Sequence, residues 1–212
     1  MKTPIRLAVL LSGSGRTLQN LIDRERDGCL KATVVKVIGS LSKAYGLTRA
    51  RDAGIPAEVI RRRDFPDIGS FSDAITRELD ECRADLVVLA GFMCFYHIPE
   101  RYAGRVINIH PALLPLFGGQ GFYGERVHAA VLERGCKVSG CTVHFVDNVY
   151  DHGPIIVQKT VEVLEDDDPH ALAARVFEKE LEAMPEAVNL FAEGRLQIEG
   201  LRVRILPPRE SR

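Results

Sequence analysis

Apolar residues in the first half of the chain form short strand-like runs that alternate with stretches of helical spacing. Ile5–Leu11 is an apolar run of strand length, and Leu18, Leu21 and Ile22 follow it at the spacing of one helix face. The same alternation predicts strands over Thr33–Ile38, Ala57–Ile60, Leu86–Ala90 and Val106–Ile109, with helices over Tyr45–Ala53 and Ser70–Cys82. Such β-α-β alternation predicts a mostly parallel sheet with right-handed crossovers.

The pattern changes after Ala112, where the predicted strands come in adjacent pairs. Ser139–Val146 and Pro154–Val161 are separated by the short loop Asp147–Gly153, which favours an antiparallel hairpin. The remaining predicted elements are a helix over Val127–Glu133, a long helix that opens at Asp168-Pro169 and reaches about Phe191, and strands over Leu196–Glu199 and Leu201–Ile205. The sequence therefore predicts an α/β fold, with a Rossmann-like, mostly parallel sheet in the N-terminal half and antiparallel strands added in the C-terminal half.

No repeat or low-complexity linker interrupts these elements, so we expect one domain over residues 1–212, ending in a polar tail at 207–212. The 28 basic and 29 acidic side chains nearly cancel, which argues against nucleic acid or an anionic membrane as a partner. The five scattered cysteines form no Cys-x-x-Cys pair, and Leu7–Leu11 is too short to span a bilayer. We expect a reduced, cytoplasmic protein with no disulfide framework and no metal site.

A glycine turn follows the first strand and opens the first helix. Its residues are Gly13, Ser14, Gly15, Arg16 and Thr17. Free amides and the positive end of the helix dipole at such a turn can hold an anion, and the Arg16 guanidinium favours phosphate. The turn lacks the full G-x-G-x-x-G pattern, so a dinucleotide is not indicated. A tight structural turn without a ligand remains the alternative.

Two further clusters carry candidate chemistry. Asn108 and His110 are two residues apart at the end of a strand, so they point to the same side, where an amide can bind an oxyanion and an imidazole can transfer protons. Asp151 lies in a turn-forming segment and would raise the pKa of His110 if that loop folded over it. A structural histidine and a turn-forming aspartate are the alternatives, because spacing alone cannot bring Asp151 to His110.

Five stretches of the chain together resemble the folate-dependent formyltransferases, among them the glycinamide ribonucleotide formyltransferases. They are LLSGSGRTLQNLID, GLTRARDAGIP, DLVVLAGFM, RVINIHPALLP and TVHFVDNVYDHGPIIVQ, and the last two in this order are the most diagnostic. The resemblance runs from Val9 to about Pro208. It implies transfer of a formyl group from 10-formyltetrahydrofolate to the primary amine of glycinamide ribonucleotide in purine biosynthesis, by a cytoplasmic monomer or homodimer.

The resemblance also assigns roles by position. Asn108, His110 and Asp151 match the catalytic trio, with His144 as a supporting histidine, and a protonated His110 would stabilise the tetrahedral oxyanion. The turn from Gly13 to Thr17 matches the phosphate site, and Glu180 matches a ribose contact. The implied folate-binding residues are Leu89, Gly91, Met93, Cys94, Phe95, Tyr96, Val146 and Asp147. On this basis the nucleotide-phosphate half would cover about 1–104, and the folate and catalytic half about 105–206.

The chain departs from the family pattern around this centre and resembles a variant subgroup. Arg16-Thr17 replaces the usual Ser-Asn, Cys94-Phe95-Tyr96 replaces an arginine with aliphatics, and His152 replaces a glycine. The segment Phe117–Gly124 is longer and richer in glycine than the usual form. The alternatives are formyltetrahydrofolate deformylase, a formyltransferase for another phosphorylated amine, and a non-catalytic nucleotide- or folate-binding module. Pro111 argues against the deformylase, which has histidine there.

Overall fold

The computed structural model describes residues 4–208, and its contacts divide the chain into two compact units. The first unit runs through Ile107 and the second begins at Asn108. Of the predicted polar tail, residues 209–212 lie outside the described part. Within residues 4–208, no helix is long and apolar enough to cross a membrane.

The first unit is built on parallel strands. Its elements are β1 (Ile5–Leu11), α1 (Arg16–Arg26), β2 (Ala32–Gly39), α2 (Tyr45–Asp52), β3 (Ala57–Val59), α3 (Ile68–Glu81) and β4 (Leu86–Leu89). The strand order is β3-β2-β1-β4, with every pair parallel. Leu7 through Leu11 are completely buried, as expected of a central parallel strand. The predicted Rossmann-like half is confirmed.

Helix boundaries in the first unit follow local hydrogen bonds that periodicity does not show. α3 begins at Ile68, earlier than the predicted Ser70, because the Asp67 carboxylate accepts a hydrogen bond from the Ser70 amide at 2.7 Å and caps the helix. Two short 3-10 turns, Arg62–Asp64 and Glu100–Tyr102, were not predicted. Neither turn changes the order of the predicted strands and helices.

The second unit adds antiparallel strands, as predicted. The division between the units falls within β5 (Val106–His110), and the later elements are α4 (Glu125–Glu133), β6 (Val138–Phe145), β7 (Ile155–Glu162), α5 (Pro169–Ala192), β8 (Leu196–Glu199) and β9 (Arg202–Ile205). β6 and β7 form the expected antiparallel hairpin, and β8 pairs antiparallel with β9. α5 packs against β6 and β7 and covers their apolar residues.

The start of α5 confirms the predicted N-cap. The Asp168 side chain accepts a hydrogen bond from the Ala171 amide at 2.7 Å, and Pro169 occupies the first helical position. The neighbouring Asp167 is bound by both terminal nitrogens of Arg175 at 2.8 Å, and the Arg175 hydrogen bonds lower the pKa of Asp167 to about 2. The start of α5 is therefore stabilised by side chains of residues that are close to it in sequence.

Candidate active site

The turn between β1 and α1 presents main-chain donors at the surface of the first unit. Gly15 has φ 69° and precedes α1, which has no side-chain cap. First-turn amides of any helix lack partners within the helix. Gly13, Ser14 and Arg16 are exposed, whereas Thr17 is buried. The amides and the positive end of the helix dipole suit an anionic group such as phosphate.

Helix α2 holds this turn in place. The Gly46 amide donates to the Gly13 carbonyl at 3.1 Å, and Arg49 Nε donates to the Ser14 carbonyl at 3.0 Å. A Cβ at Gly15 would lie 2.5 Å from the Gly46 Cα, so glycine is required there by the close approach of α2 as well as by its φ. Gly46 and Arg49 were not identified as functional from the sequence, although the stretch that contains them carries part of the resemblance.

The predicted folate-binding residues of the first unit differ in their exposure. Gly91 is exposed, Met93 is 54% exposed, and Leu89 is buried in β4. Cys94 and Phe95 are partly buried. Tyr96 is 3% exposed and its hydroxyl hydrogen-bonds with the Thr76 hydroxyl at 2.9 Å, which places its phenol in the interior. Met93 and Gly91 are therefore open to a ligand, whereas the Tyr96 side chain is not.

The end of β5 brings the predicted catalytic residues together in the second unit. Asn108 Nδ2 lies 3.4 Å from Asp151 Oδ1 and 3.2 Å from His144 Nε2. His110 Nδ1 lies 3.5 Å from Asp151 Oδ2, and His144 Nε2 lies 3.6 Å from Asp151 Oδ1. His110 and His144 are buried, and Asp151 is partly buried. The proximity of Asp151 to His110, which spacing could not show, is present in the structure.

The loop between β6 and β7 positions Asp151. Asp151 has φ 51°, a left-handed conformation that aspartate tolerates better than most residues. Asp147 closes the loop, because its carboxylate accepts hydrogen bonds from the Val149 amide at 2.9 Å and from His152 Nδ1 at 2.7 Å. His152 is thus an exposed partner of Asp147.

Hydrogen bonds to main-chain carbonyls orient both histidines. His144 Nδ1 donates to the Phe145 carbonyl at 2.7 Å, so in neutral His144 the Nε2 atom accepts from the Asn108 amide. His110 Nε2 donates to the Phe117 carbonyl at 2.8 Å. Asp151 Oδ2 also accepts from the Gly119 amide at 2.9 Å. Hydrogen bonds with main-chain groups therefore set the orientation of His110, His144 and Asp151.

The charge state of His110 differs from the expectation. Burial lowers the pKa of His110 and outweighs the raising effects of the Asp151 carboxylate and the Phe117 carbonyl. Asp151 thus raises this pKa, as expected, but the expected net rise does not occur. Burial raises the pKa of Asp151, but His144, His110 and the Gly119 amide together outweigh it, so the pKa of Asp151 is lowered. Burial and the Asp151 carboxylate thus act on the pKa of His110 in opposite directions.

Several supporting residues were missed by the sequence reasoning. Thr142 Oγ1 donates to the Ala112 carbonyl at 2.6 Å and accepts from the Leu114 amide at 3.0 Å, which fixes the chain just after His110. His128 on α4 is 4% exposed, and its Nδ1 has no hydrogen-bond partner among the described residues. Thr142 lies in a stretch that carries the family resemblance, but the role of its hydroxyl was not predicted. The sequence around a threonine in a buried strand does not show which groups its hydroxyl contacts.

The other predicted contacts of the second unit are Glu180 on α5 and, next to the cluster in sequence, Val146 and Asp147. Glu180 is a partly buried residue of α5. Burial, together with the negative charge of Glu180, raises the pKa of the Cys141 thiol to about 12. Val146 is partly buried, as is Asp147. In residues 4–208, no group of three or more His, Cys, Asp or Glu side chains is arranged to hold a metal ion.

Known proteins resemble this chain along most of its length. The formyl transferase family model matches residues 5–188. Phosphoribosylglycinamide formyltransferase of Haemophilus influenzae is 37% identical over 196 residues, which cover 92% of this chain and 90% of that protein. The trifunctional purine biosynthetic protein adenosine-3 of Drosophila melanogaster is 44% identical over 193 residues, which cover 89% of this chain. This chain spans only 14% of the length of that Drosophila protein.

A solved structure agrees with these relatives. The crystal structure of glycinamide ribonucleotide transformylase 1 from Symbiobacterium toebii has a TM-score of 0.91 and 44% identity, covering 98% of this chain and 96% of that one. The fold class and the family resemblance predicted from the sequence are both confirmed. The chain belongs to the formyl transferase family, within its phosphoribosylglycinamide formyltransferase group.

Proposed function

We propose that the protein transfers a formyl group from 10-formyltetrahydrofolate to the primary amine of glycinamide ribonucleotide, a step of de novo purine biosynthesis. The observation that carries the proposal is the convergence of Asn108, His110 and Asp151 at the end of β5 in a chain of this family. The names of the Haemophilus and Symbiobacterium relatives support the choice of acceptor.

The chemistry is an acyl transfer through a tetrahedral intermediate. The acceptor amine attacks the formyl carbon, a C–N bond forms, and negative charge develops on the formyl oxygen. The Asn108 amide donates to that oxygen, while His110 accepts the proton that the amine loses. The bond from the formyl carbon to the donor nitrogen then breaks, and that nitrogen takes up the proton. Asp151 stabilises the imidazolium formed in between, and His144 orients Asn108.

We propose that the turn from Gly13 to Thr17 binds the acceptor's phosphate through main-chain amides, with Arg16 adding charge. Glu180 would contact the ribose. The proposed folate contacts are Leu89, Gly91, Met93, Cys94, Phe95, Val146 and Asp147, with the buried phenol of Tyr96 supporting them from the interior. The exposure of the turn and of Met93 supports these assignments.

We further propose that the whole chain is one formyltransferase domain, which the family match from residue 5 to 188 supports because it runs through both units. We place the enzyme in the cytoplasm, as a monomer or homodimer without nucleic-acid or membrane partners. The near balance of charge supports this placement.

A spectroscopic assay with 10-formyltetrahydrofolate, run with and without glycinamide ribonucleotide, tests the function. Turnover that depends on the acceptor is expected. Turnover without the acceptor would assign a deformylase instead, and no turnover in either condition would contradict an enzymatic role on this donor. The variant His110→Ala should lower kcat about 1,000-fold because it removes the proton acceptor, while folate binding stays nearly intact. Retained activity would remove His110 from the mechanism.

A further inference from the structure

The residue just before the turn between β1 and α1 contacts the segment that follows β4. The Ser12 amide donates to the Gly91 carbonyl at 3.1 Å, and the Ser12 hydroxyl accepts a hydrogen bond from the Met93 amide at 2.8 Å. Ser12 is 6% exposed, so its side chain is almost wholly removed from solvent. The turn Gly13–Thr17 is the proposed phosphate site, and Gly91 and Met93 are proposed folate contacts. One buried serine therefore joins the two segments that we propose bind the two substrates.

The parallel sheet of the first unit explains why these segments meet. The strands β1, β2 and β4 are neighbours that run in the same direction, so their carboxyl ends lie along one edge of the sheet. Ser12 follows β1, and Ser40 follows β2, where its amide donates to the Leu11 carbonyl at 3.0 Å. The hydroxyl oxygens of Ser12 and Ser40 lie 2.5 Å apart and share a hydrogen bond. We name Ser12 and Ser40 the serine pair.

A hydroxyl suits this position because it can accept more than one hydrogen bond and can also donate one. The Ser12 oxygen accepts from the Met93 amide while it is also hydrogen-bonded to Ser40. Ser40 is buried as well, so little water competes for these contacts. Hydrogen bonds that polarise one another in the interior hold their members in one arrangement. The serine pair therefore fixes the Met93 main chain relative to the start of the turn.

Each of the two segments also has an anchor of its own. Phe92 lies parallel to the buried Phe71 ring, with the ring centroids 6.4 Å apart. The turn is held by Gly46 and Arg49 of α2. Ser12 differs from these anchors because it contacts one segment and directly precedes the other. The separate anchors should preserve the fold when the Ser12 hydroxyl is removed.

We infer that Ser12 is a positioning residue for both substrates, because its hydroxyl holds the Gly91–Met93 segment and the phosphate turn in a fixed relation to each other. The inference rests on the proposed function for the identity of the two ligands. A ligand that displaces the turn also displaces the Met93 amide through Ser12. A folate that binds at Met93 acts on the turn in the same way, since coupling between two binding sites is reciprocal.

The variant Ser12→Ala tests this role by steady-state kinetics. It leaves the Met93 amide without its acceptor, and loss of one such hydrogen bond changes an equilibrium constant by up to about tenfold. We expect the KM for the folate to rise about tenfold and the KM for the acceptor about threefold, while kcat changes less than about twofold. A rise in only one KM, or in neither, would overturn the inference.

Ser72 provides a matched control in the same unit. Its hydroxyl is also buried and also accepts a hydrogen bond from a main-chain amide, that of His97 at 2.9 Å. Ser72 lies within α3 and is distant in sequence from the turn. Ser72→Ala should lower the free energy of unfolding as Ser12→Ala does, but should leave both KM values within about twofold of the parent protein. Equal rises of the KM values in the two variants would assign the effect to lost stability and overturn the inference.

The coupling can also be measured without catalysis, by recording ¹H–¹⁵N NMR spectra of the main-chain amides while inorganic phosphate is added. In the parent protein we expect the amide signals of Gly15, Arg16 and Thr17 to shift, and the Met93 signal to shift over the same phosphate concentrations. In Ser12→Ala the turn should still respond, whereas the Met93 shift should be lost.

A Met93 signal that stays unchanged in the parent protein, or that shifts equally in the variant, would overturn the inference. Unchanged signals throughout the turn would also overturn it, because the phosphate site would then be absent. No formyl donor is present in this titration. Its outcome is therefore distinct from that of the acceptor-dependent turnover assay, which tests the proposed function.

Discussion

The turn at Gly13–Thr17 and the centre around His110 differ in which atoms they offer to a ligand. The turn belongs to the first unit, is largely exposed, and offers main-chain amides held by α2. The centre belongs to the second unit and consists of buried or partly buried side chains that contact one another. Side-chain substitutions in the turn leave its donors in place, whereas a substitution in the centre changes the charge and pKa of its neighbours.

This difference bears on two of the departures from the family pattern that the sequence resembles. Arg16-Thr17 and His152 are two places where the sequence differs from the resembled pattern, and both Arg16 and His152 are exposed. A main-chain site tolerates such changes because the amides do not depend on residue type. Asn108, His110 and Asp151 match the resembled pattern, and each contacts another member of the cluster, so a change in one would alter the environment of its neighbours.

After His110→Ala, the largest effect is expected from Asp151→Asn, which tests the coupling of the buried centre. We expect kcat to fall 100- to 1,000-fold, because the carboxylate that stabilises the imidazolium is lost, an effect on the order of that for other preorganised electrostatic partners. The pKa of His110 should fall further, since Asp151 raises it in the parent protein. Asparagine also tolerates the φ of 51°, so the backbone should be retained.

Steady-state kinetics and an NMR titration of His110 measure both parts of this prediction. Asp166→Asn, which removes an exposed acid of the same unit, is the control for loss of one negative charge. An unchanged kcat, or a rise in the pKa of His110, would show that the two side chains do not act as a coupled pair.

A smaller effect is expected from Arg16→Ala, which tests the exposed turn. Loss of one charge-assisted contact with phosphate should raise the KM for the acceptor about tenfold while kcat changes less than about twofold. The KM for the folate should change much less. Arg26→Ala at the other end of α1 is the control, because it removes the same exposed charge far from the turn. Equal changes in both KM values would remove Arg16 from the phosphate site.

The smallest effect is expected from His128→Leu, and it concerns stability rather than catalysis. Burial holds the pKa of His128 below its ordinary value of 6.5, so the unfolded chain binds more protons than the folded chain as pH falls through that value. The free energy of unfolding should therefore decrease below about pH 6.5. Leucine cannot bind a proton. The free energy of unfolding of the variant should therefore change less steeply with pH than that of the parent protein, by at most about 1.4 kcal/mol per pH unit.

Urea unfolding of both proteins at pH 5.5 and pH 8 measures this slope. His110 also has a lowered pKa and remains in the variant, so part of the decrease should persist. Parallel pH dependence in the two proteins would mean that His128 is protonated to the same extent in the folded and unfolded chains.

The elements that the sequence predicted best are those set by local residues. β1 ends where predicted because its apolar run and the following glycines are adjacent in the chain, and Asp168-Pro169 opens α5 because capping needs only the next three residues. The direction of the His110 pKa was wrong for the opposite reason. It depends on how much of the imidazole is buried, and residues distant in sequence determine that burial.

The sequence by itself determined the alternation of strands and helices, the glycine turn at the start of α1, and the motifs that indicate the family. All of these are encoded by residue type over short distances. Only the tertiary structure decided that Asp151 lies beside His110, that burial outweighs its charge, and that Phe117 and Gly119 contact the pair. These contacts join main-chain and side-chain atoms from separate loops. Because a main-chain carbonyl or amide is the same in every residue except proline's missing N–H, residue type could not reveal them.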